Sequence, residues 1–415
     1  MPLLSKTPPA RGSAPPIGAN GLGVFGANRS RPFHRWYPFV EGYSAELVER
    51  ALAESAPDGL VLDPFGGSGT TALAAALLGR DSIFAEVNPY LAWVADVKVN
   101  QARTATEAAG GTGELRRAAQ ATADAPNAPN PVEDDHPLLL ADRKREYFPP
   151  GVAREIVGAL GIIDESLGGA SREVARLAVA TAVTPASLMV RRTDLRRRTA
   201  NDPKPVDFRT AVSRLLCEFA DDIDAHGSAI AGRTIRVAAD VRGEWSDAPD
   251  VAVVVTSPPY LNGTNYCRNT KLELLALGFI SSEKELQSLR ASSISAGINS
   301  VSGRRPAPGL ECVEPIARRL DRVAYDIRIP ALVRAYFADM QAALERVRER
   351  ALPGAPMYLD IGDSKYCGIH VPTHSLTRRL AENVGWHCLG EEVLRARRSY
   401  DGSLLTQVLL QFEAC

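Results

Sequence analysis

Residues 59–100 read GLVLDPFGGSGTTALAAALLGRDSIFAEVNPYLAWVADVKVN. A short apolar strand, 59–62, runs into a turn carrying Gly66, Gly67 and Gly69, and an Ala/Leu-rich helix begins at once. SIFAE is a second apolar strand. Pro89 stands near the start of a second helix, where its missing N–H leaves no bond unmade. Strand, helix, strand, helix in this order predicts an α/β fold with a doubly wound, mostly parallel sheet.

Outward from this core, strands resume at TIRVAAD (234–240), VAVVVTSPPY (251–260) and PMYLDIGD (356–363). Two last strand-like runs, HCLGEEVLRAR and LLTQVLLQFEA, suit a closing antiparallel hairpin. The segment between the second and third strands reads as a linker (104–135) followed by helices to about 230, a helical insertion at 101–230. Residues 1–30, rich in Pro, Gly, Ala and Ser, read as a flexible N-terminal arm. The catalytic domain is therefore expected at 31–100 and 231–415.

The chain has 415 residues, 45% hydrophobic and 23% charged, which is the composition of a soluble globular protein. Its net charge of −1 excludes a globally basic surface, so any nucleic-acid contact must come from local clusters. Of 48 basic residues only seven are Lys, a bias that suits bidentate phosphate contacts and equally reflects a GC-rich genome. Six scattered cysteines, none at CxxC spacing, point to reduced thiols in a cytoplasm and to no structural metal. No apolar run reaches the length of a membrane span.

The glycine turn DPFGGSGT (63–70) allows a ligand close approach to the backbone, and the helix behind it offers free N–H groups. Alone it is a dinucleotide-type loop or a tight βα turn, and it lacks the Lys of a phosphate-binding Walker loop. Glu86, at the end of the second strand, is placed to accept hydrogen bonds from ribose hydroxyls. Asp240, after the third, can accept one from an adenine amino group or be ordinary surface charge.

Five consecutive apolar β-formers, residues 251–255, end in Ser257-Pro258-Pro259-Tyr260. Two prolines remove two N–H donors and stiffen the turn. The Pro258 carbonyl and the Ser257 hydroxyl then supply two acceptors beside the flat Tyr260 ring, an arrangement suited to a planar ring bearing an NH₂ group.

Together the two loops resemble those of the DNA amino-methyltransferases, which carry an Asp-Pro-Phe-x-Gly-x-Gly loop and an (Asp/Asn/Ser)-Pro-Pro-(Tyr/Phe) loop. The resemblance implies a Rossmann-like class I methyltransferase fold using S-adenosyl-L-methionine. Tyr37, Pro38, Asp63, Phe65, Gly66, Gly67, Ser68, Gly69, Thr70, Glu86 and Asp240 are then the expected donor site. Ser257, Pro258, Pro259 and Tyr260 are the expected catalytic loop. The implied reaction is direct in-line methyl transfer to an exocyclic amine of a flipped DNA base. In this family Ser at position 257 goes mostly with cytosine N4 and Asp or Asn with adenine N6, so cytosine is expected. Adenine N6 of DNA, an RNA or a small amino compound is the alternative substrate, and a cognate restriction or defence protein the expected partner. A covalent route needs an activated Cys, and the loop has none.

For the substrate, Asn262, Asn265, Arg268 and Lys271 read either as base and phosphate contacts or as the capped start of a helix. The basic stretch with Arg191, Arg192, Arg196, Arg197 and Arg198 reads as a phosphate clamp on a helix face or as solvated surface. His370 and His374 are spaced like a metal pair, but Pro372 argues against a regular helix there. No metal is expected.

Overall fold

The computed structural model describes residues 21–415 except 56–57, 109, 125–133, 193, 246–247, 263, 302–308 and 400–401. Its centre is a seven-stranded sheet: β1 (Val61–Asp63), β2 (Ser82–Ala85), β3 (Thr234–Ala238), β4 (Val253–Thr256), β5 (Pro356–Gly362), β6 (Trp386–Arg398) and β7 (Leu404–Ala414). The strand order is 3-2-1-4-5-7-6. The first five strands are parallel, and β7 runs antiparallel to both β5 and β6. The doubly wound sheet and its closing hairpin are therefore as the sequence predicts. The strand order reverses between β1 and β4, and in open α/β sheets that crevice is where ligands bind.

The apolar runs explain the layering. Val253 and Val255 pack on one face with Val61, α1 (Ala45–Glu54) and Ala74 and Ala75 of α2 (Thr70–Leu77). Val254 packs on the other with Leu62 and the long helix Arg328–Arg350. All of these valines are fully buried, and each contributes about 1.5–3 kcal/mol relative to exposure. A strand covered on both faces has no polar side to alternate with, hence the unbroken Val run.

The helices between β2 and β3 share one core with α2, α3 (Pro89–Asp96) and the helix Lys271–Ala276, which follows the catalytic loop. Two expectations need correction here. The segment read as a linker contains the helix Gly111–Asp124, whose Leu115, Ala118 and Ala119 are buried in that core, and helix Phe208–His226 packs closely against it. Small residues that resemble linker composition are here the means of close helix approach. Residues 21–30 are not an arm: Leu22 and Phe25 are buried, and the Asn28 side chain bonds Tyr43 O and Ala45 N, both at 2.9 Å. Residues 1–20 lie outside the described residues. Among those described, no helix is long and apolar enough to cross a membrane.

Candidate active site

A cavity of about 350 Å³ opens at the carboxyl ends of β1, β2 and β4. It is lined from one side by Phe65, Gly66, Gly67, Ser68, Thr70, Glu86 and Asp240, and from the other by Ser257, Pro258, Pro259 and Tyr260. The two loops read from the sequence thus face one space.

Three glycines of the turn do different jobs. Gly67 has φ +49°, a conformation that disfavours side chains, and its N–H donates to Glu86 Oε2 at 2.8 Å. Gly69, φ +81°, is not a ligand contact: a Cβ there would lie 2.7–2.8 Å from Ala95, so it serves the packing of α3 against α2. A Cβ on Gly66 would strike the Phe84 ring at 2.7 Å, although the residue also lines the cavity. Glu86 accepts a second N–H, from Asn88 at 2.8 Å, and burial pushes its carboxyl up to about 7.

Asp63 and Tyr37 do not reach the cavity lining. Asp63 is buried and saturated, accepting from Phe65 N (3.0 Å), Thr256 Oγ1 (2.7 Å) and Tyr43 Oη (2.8 Å). It fastens the glycine turn to β4, the strand that carries the catalytic loop. Tyr37 is buried edge-on to Tyr90 at 5.2 Å, with the Arg191 guanidinium over its ring. Pro38 is likewise absent from the lining. This segment is anchored through Lys98, a buried ammonium directed at the carbonyls of His34, Tyr37 and Ser68 at 3.2–3.5 Å. Burial without an acid lowers Lys98 to about 7. Asp240 does face the cavity, gripped by Arg242 at 2.7 and 2.8 Å.

The turn Ser257–Tyr260 is clamped from outside. Its one amide hydrogen after the prolines, on Tyr260, donates to Tyr266 Oη at 3.0 Å. Tyr336 donates to the Pro259 carbonyl at 3.0 Å, and Asn262 N donates to the Tyr260 carbonyl at 2.8 Å. The Pro258 carbonyl alone of these three accepts no bond from the described residues, and Pro258 lines the cavity. The Tyr260 ring lies against Gly362, where a Cβ would come within 3.0 Å, and its hydroxyl meets Gln407 Nε2 at 2.9 Å.

Below the turn sits Asp360, a residue sequence reasoning passed over. It is 1% exposed, its carboxylate accepts from Gln407 Nε2 at 2.9 and 3.0 Å, and the Tyr260 and Ser257 hydroxyls lie near enough to offset part of its burial. Burial pushes it up to about 7. The signal was present: an Asp within the apolar strand PMYLDIG, facing a Gln within LLTQVLL.

The expected substrate contacts divide. Asn262 and Arg192 line the cavity. Asn265 caps the helix Tyr266–Asn269 through Arg268 N at 3.2 Å, and it lines a neighbouring cavity. Arg268 pairs with Asp194 at 2.9 Å, and buried Lys271 bonds Glu283 and Tyr147 Oη; neither lines the main cavity. The basic stretch is a small antiparallel hairpin, Met189–Val190 with Arg196–Arg197, rather than a helix face. Arg191 is turned inward to Glu273 and to Asn269 O at 2.8 Å. Arg196 pairs with Asp202 at 2.8 Å, while Arg197 and Arg198 bond backbone carbonyls of Glu146 and Ser187. Only Arg192 of the five is left at the cavity, its side chain 61% exposed.

His370 and His374 converge on Asp363 at 3.0 and 2.8 Å, which raises His374 and lowers Asp363. Among the described residues no group of three or more His, Cys, Asp or Glu is placed to hold a metal ion.

Comparison with known proteins follows the same lines. Residues 38–95, which hold the glycine turn and Glu86, match the N6/N4 methyltransferase family, described as DNA methylase. Type II methyltransferase M.AvaI of Nostoc sp. is 23% identical over 406 residues, covering 88% of this chain and 81% of that protein. Type II methyltransferase M.BsoBI of Geobacillus stearothermophilus is 42% identical over 65 residues, 15% of this chain and 13% of that one. Among solved structures, the rRNA methyltransferase aviRa of Streptomyces viridochromogenes aligns over 95% of this chain and 87% of its own, at 13% identity and TM-score 0.30. At that score the fold rests on the strand order and not on the likeness. With the two loops facing one cavity at the turning point of the sheet, the sequence matches show a likeness to DNA amino-methyltransferases, which the family model carries over residues 38–95.

Proposed function

We propose that the chain transfers a methyl group from S-adenosyl-L-methionine to an exocyclic amine of a DNA base, cytosine N4. One observation carries the reading: Pro258, whose carbonyl accepts no hydrogen bond from the described residues, lines the same cavity as Gly67 and Glu86. The donor fits that cavity by the chemistry of its lining. Glu86 is a buried carboxylate suited to ribose hydroxyls, and Gly67 leaves the backbone bare for close approach. When bound, the donor supplies a methyl group on a sulfonium, which departs with its bonding electrons going to sulfur.

The chain's own residues hold the acceptor. The Pro258 carbonyl and Ser257 hydroxyl accept the two amine hydrogens, aiming the nitrogen lone pair at the methyl and stabilising the positive charge that grows on it. Ser257 accepts best when its own proton is directed at ionised Asp360 beside it. Tyr260 offers the stacking face. A duplex target has to leave the stack to enter. The relatives named Type II methyltransferases support a DNA substrate and, with it, a cognate restriction or defence protein as partner in the cytoplasm.

The test is incubation with labelled donor and unmethylated DNA, followed by digestion and identification of the base. N4-methylcytosine is the expected product. N6-methyladenine would move the specificity and keep the mechanism; 5-methylcytosine would overturn both.

Phosphate contacts are expected at Arg192 and not along the rest of its stretch. Arg192→Ala should reduce the slope of log affinity against log salt by about 0.9, one lost phosphate contact. Arg196→Ala, which removes the Asp202 pair and a bond to the Arg197 carbonyl away from the cavity, should leave it unchanged. Fluorescence anisotropy across a salt series reads both. An unaltered slope in Arg192→Ala would show that Arg192 does not meet DNA, and a reduced slope in Arg196→Ala that the contact extends along the stretch.

A further inference from the structure

The helix Glu314–Val323 and the long helix Arg328–Arg350 are joined by a turn whose side chains point into water. Val323, Tyr325 and Ile327 are 55%, 86% and 87% exposed. Single exposed apolar residues are ordinary, but three within five positions, two of them nearly bare, are a local concentration of unburied surface. The charge between them is neutralised, because Asp326 folds back onto Arg328 at 2.6 Å. The turn therefore presents apolar groups without an acid among them.

Tyr325 also lines a second cavity, of about 240 Å³, together with Tyr266, Tyr366, Asn265, Asn299 and Arg290. This cavity shares Thr264, Tyr266, Cys267, Ser293 and Ile294 with the active-site cavity, so the two adjoin. Arg290 Nε is buried there with no hydrogen-bond partner among the described residues. Around the turn, residues 314–334 hold five Arg against three acids. Arg334 holds Glu314 and Asp321 at 2.9 and 2.7 Å. Exposed Arg319 and Arg322 form no ion pair among the described residues. An apolar tip flanked by the unpaired Arg319 and Arg322, beside a cavity that adjoins the active-site cavity, is complementary to a stacked polyanion.

We propose that the turn 323–327 is a wedge that enters duplex DNA beside the target base. Tyr325 and Ile327 fill the gap that the departing base leaves, and the second cavity is the path by which its nucleotide reaches residues 257–260. An apolar side chain between base steps offsets part of the stacking lost on flipping, and Arg319, Arg322 and Arg290 meet the flanking phosphates. The inference rests on the DNA-base reading above and specifies how the duplex is opened.

The experiment compares the unaltered full chain with Tyr325→Ala/Ile327→Ala on unmethylated genomic DNA, native and heat-denatured, with donor affinity measured by calorimetry. A wedge is needed only where there is a stack to open, at a cost of a few kcal/mol. The double variant should therefore lose about tenfold or more in kcat/KM on native DNA, about 1.4 kcal/mol. On denatured DNA it should stay within about twofold, less than ~0.5 kcal/mol, with donor affinity unchanged. Equal losses on both forms, or no loss on either, would overturn the wedge while leaving the DNA-base reading in place. Failure of the unaltered chain to methylate either form, with donor binding intact, would overturn that reading and the wedge with it.

Discussion

Gly67→Val is expected to remove measurable donor binding while leaving a folded protein. The residue sits at φ +49°, where a β-branched side chain is strained by about 1–3 kcal/mol. Its Cβ would stand 3.3 Å from the Phe39 ring, and the two branching methyls would have to enter the cavity or displace that ring. Relief of the strain rotates the peptide and withdraws the N–H now bonded to Glu86 at 2.8 Å, so the carboxylate loses the partner that aims it. A loss of about 3 kcal/mol corresponds to roughly a hundredfold in affinity, which calorimetry with the donor reads directly. Gly69→Ala is the informative contrast. Its added Cβ meets the Ala95 backbone at 2.8 Å, in the packing of α3, so it should lower the melting temperature before it touches affinity. Unaltered affinity in Gly67→Val, with the melting temperature unchanged, would move the donor site away from this turn.

The difference between these two glycines marks what the sequence could and could not say. Strand, glycine turn and Ala-rich helix were legible because their constraints are local: a positive φ, a capped helix start, an unbroken apolar strand. The same holds for the Val run ending in Ser257 and for the closing hairpin, β6 and β7. Tertiary assignments were not legible in this way. Asp63 reads as a donor contact, yet Phe65 within its own turn and Tyr43 and Thr256 from other segments engage both its oxygens. Arg196, Arg197 and Arg198 read as free charge because the sequence displays their guanidinium groups and hides the carboxylate and carbonyls that receive them. The helix Gly111–Asp124 was masked by Gly and Ala, which composition ranks with linkers although close packing also selects them. Asp360 shows the opposite failure. A lone acid in an apolar strand is a conspicuous signal, and only the fold shows that it lies beneath the catalytic turn.

Asp360→Asn is expected to lower kcat by about a hundredfold, the scale on which misplacing a reacting group by ~1 Å acts, with donor affinity nearly intact. Asp360 is a positioning residue: it touches Ser257, Tyr260 and Gln407 and does not line the cavity itself. As a carboxylate it takes the Ser257 proton as a hydrogen bond and leaves the serine lone pairs for the amine. An amide at this position can offer its own N–H to Ser257, turning the hydroxyl outward as a donor against the amine hydrogens. The pH profile separates this role from a merely structural one. Burial raises Asp360 to about 7, so its ionised form is present above that pH and is lost as pH falls through it. From pH 8 to pH 6 the ionised fraction drops roughly tenfold, and kcat at saturating donor should fall with it. Glu86, also raised to about 7, works in the same direction but on donor affinity, so saturation removes its contribution. In Asp360→Asn the acid limb of kcat should flatten, whereas Ser257→Ala, which deletes the acceptor outright, should lose as much rate and likewise show no limb. Tyr260→Ala should slow turnover and keep the limb, because Asp360 and Ser257 remain together. A full acid limb surviving in Asp360→Asn would assign that titration to another group and remove Asp360 from the reaction.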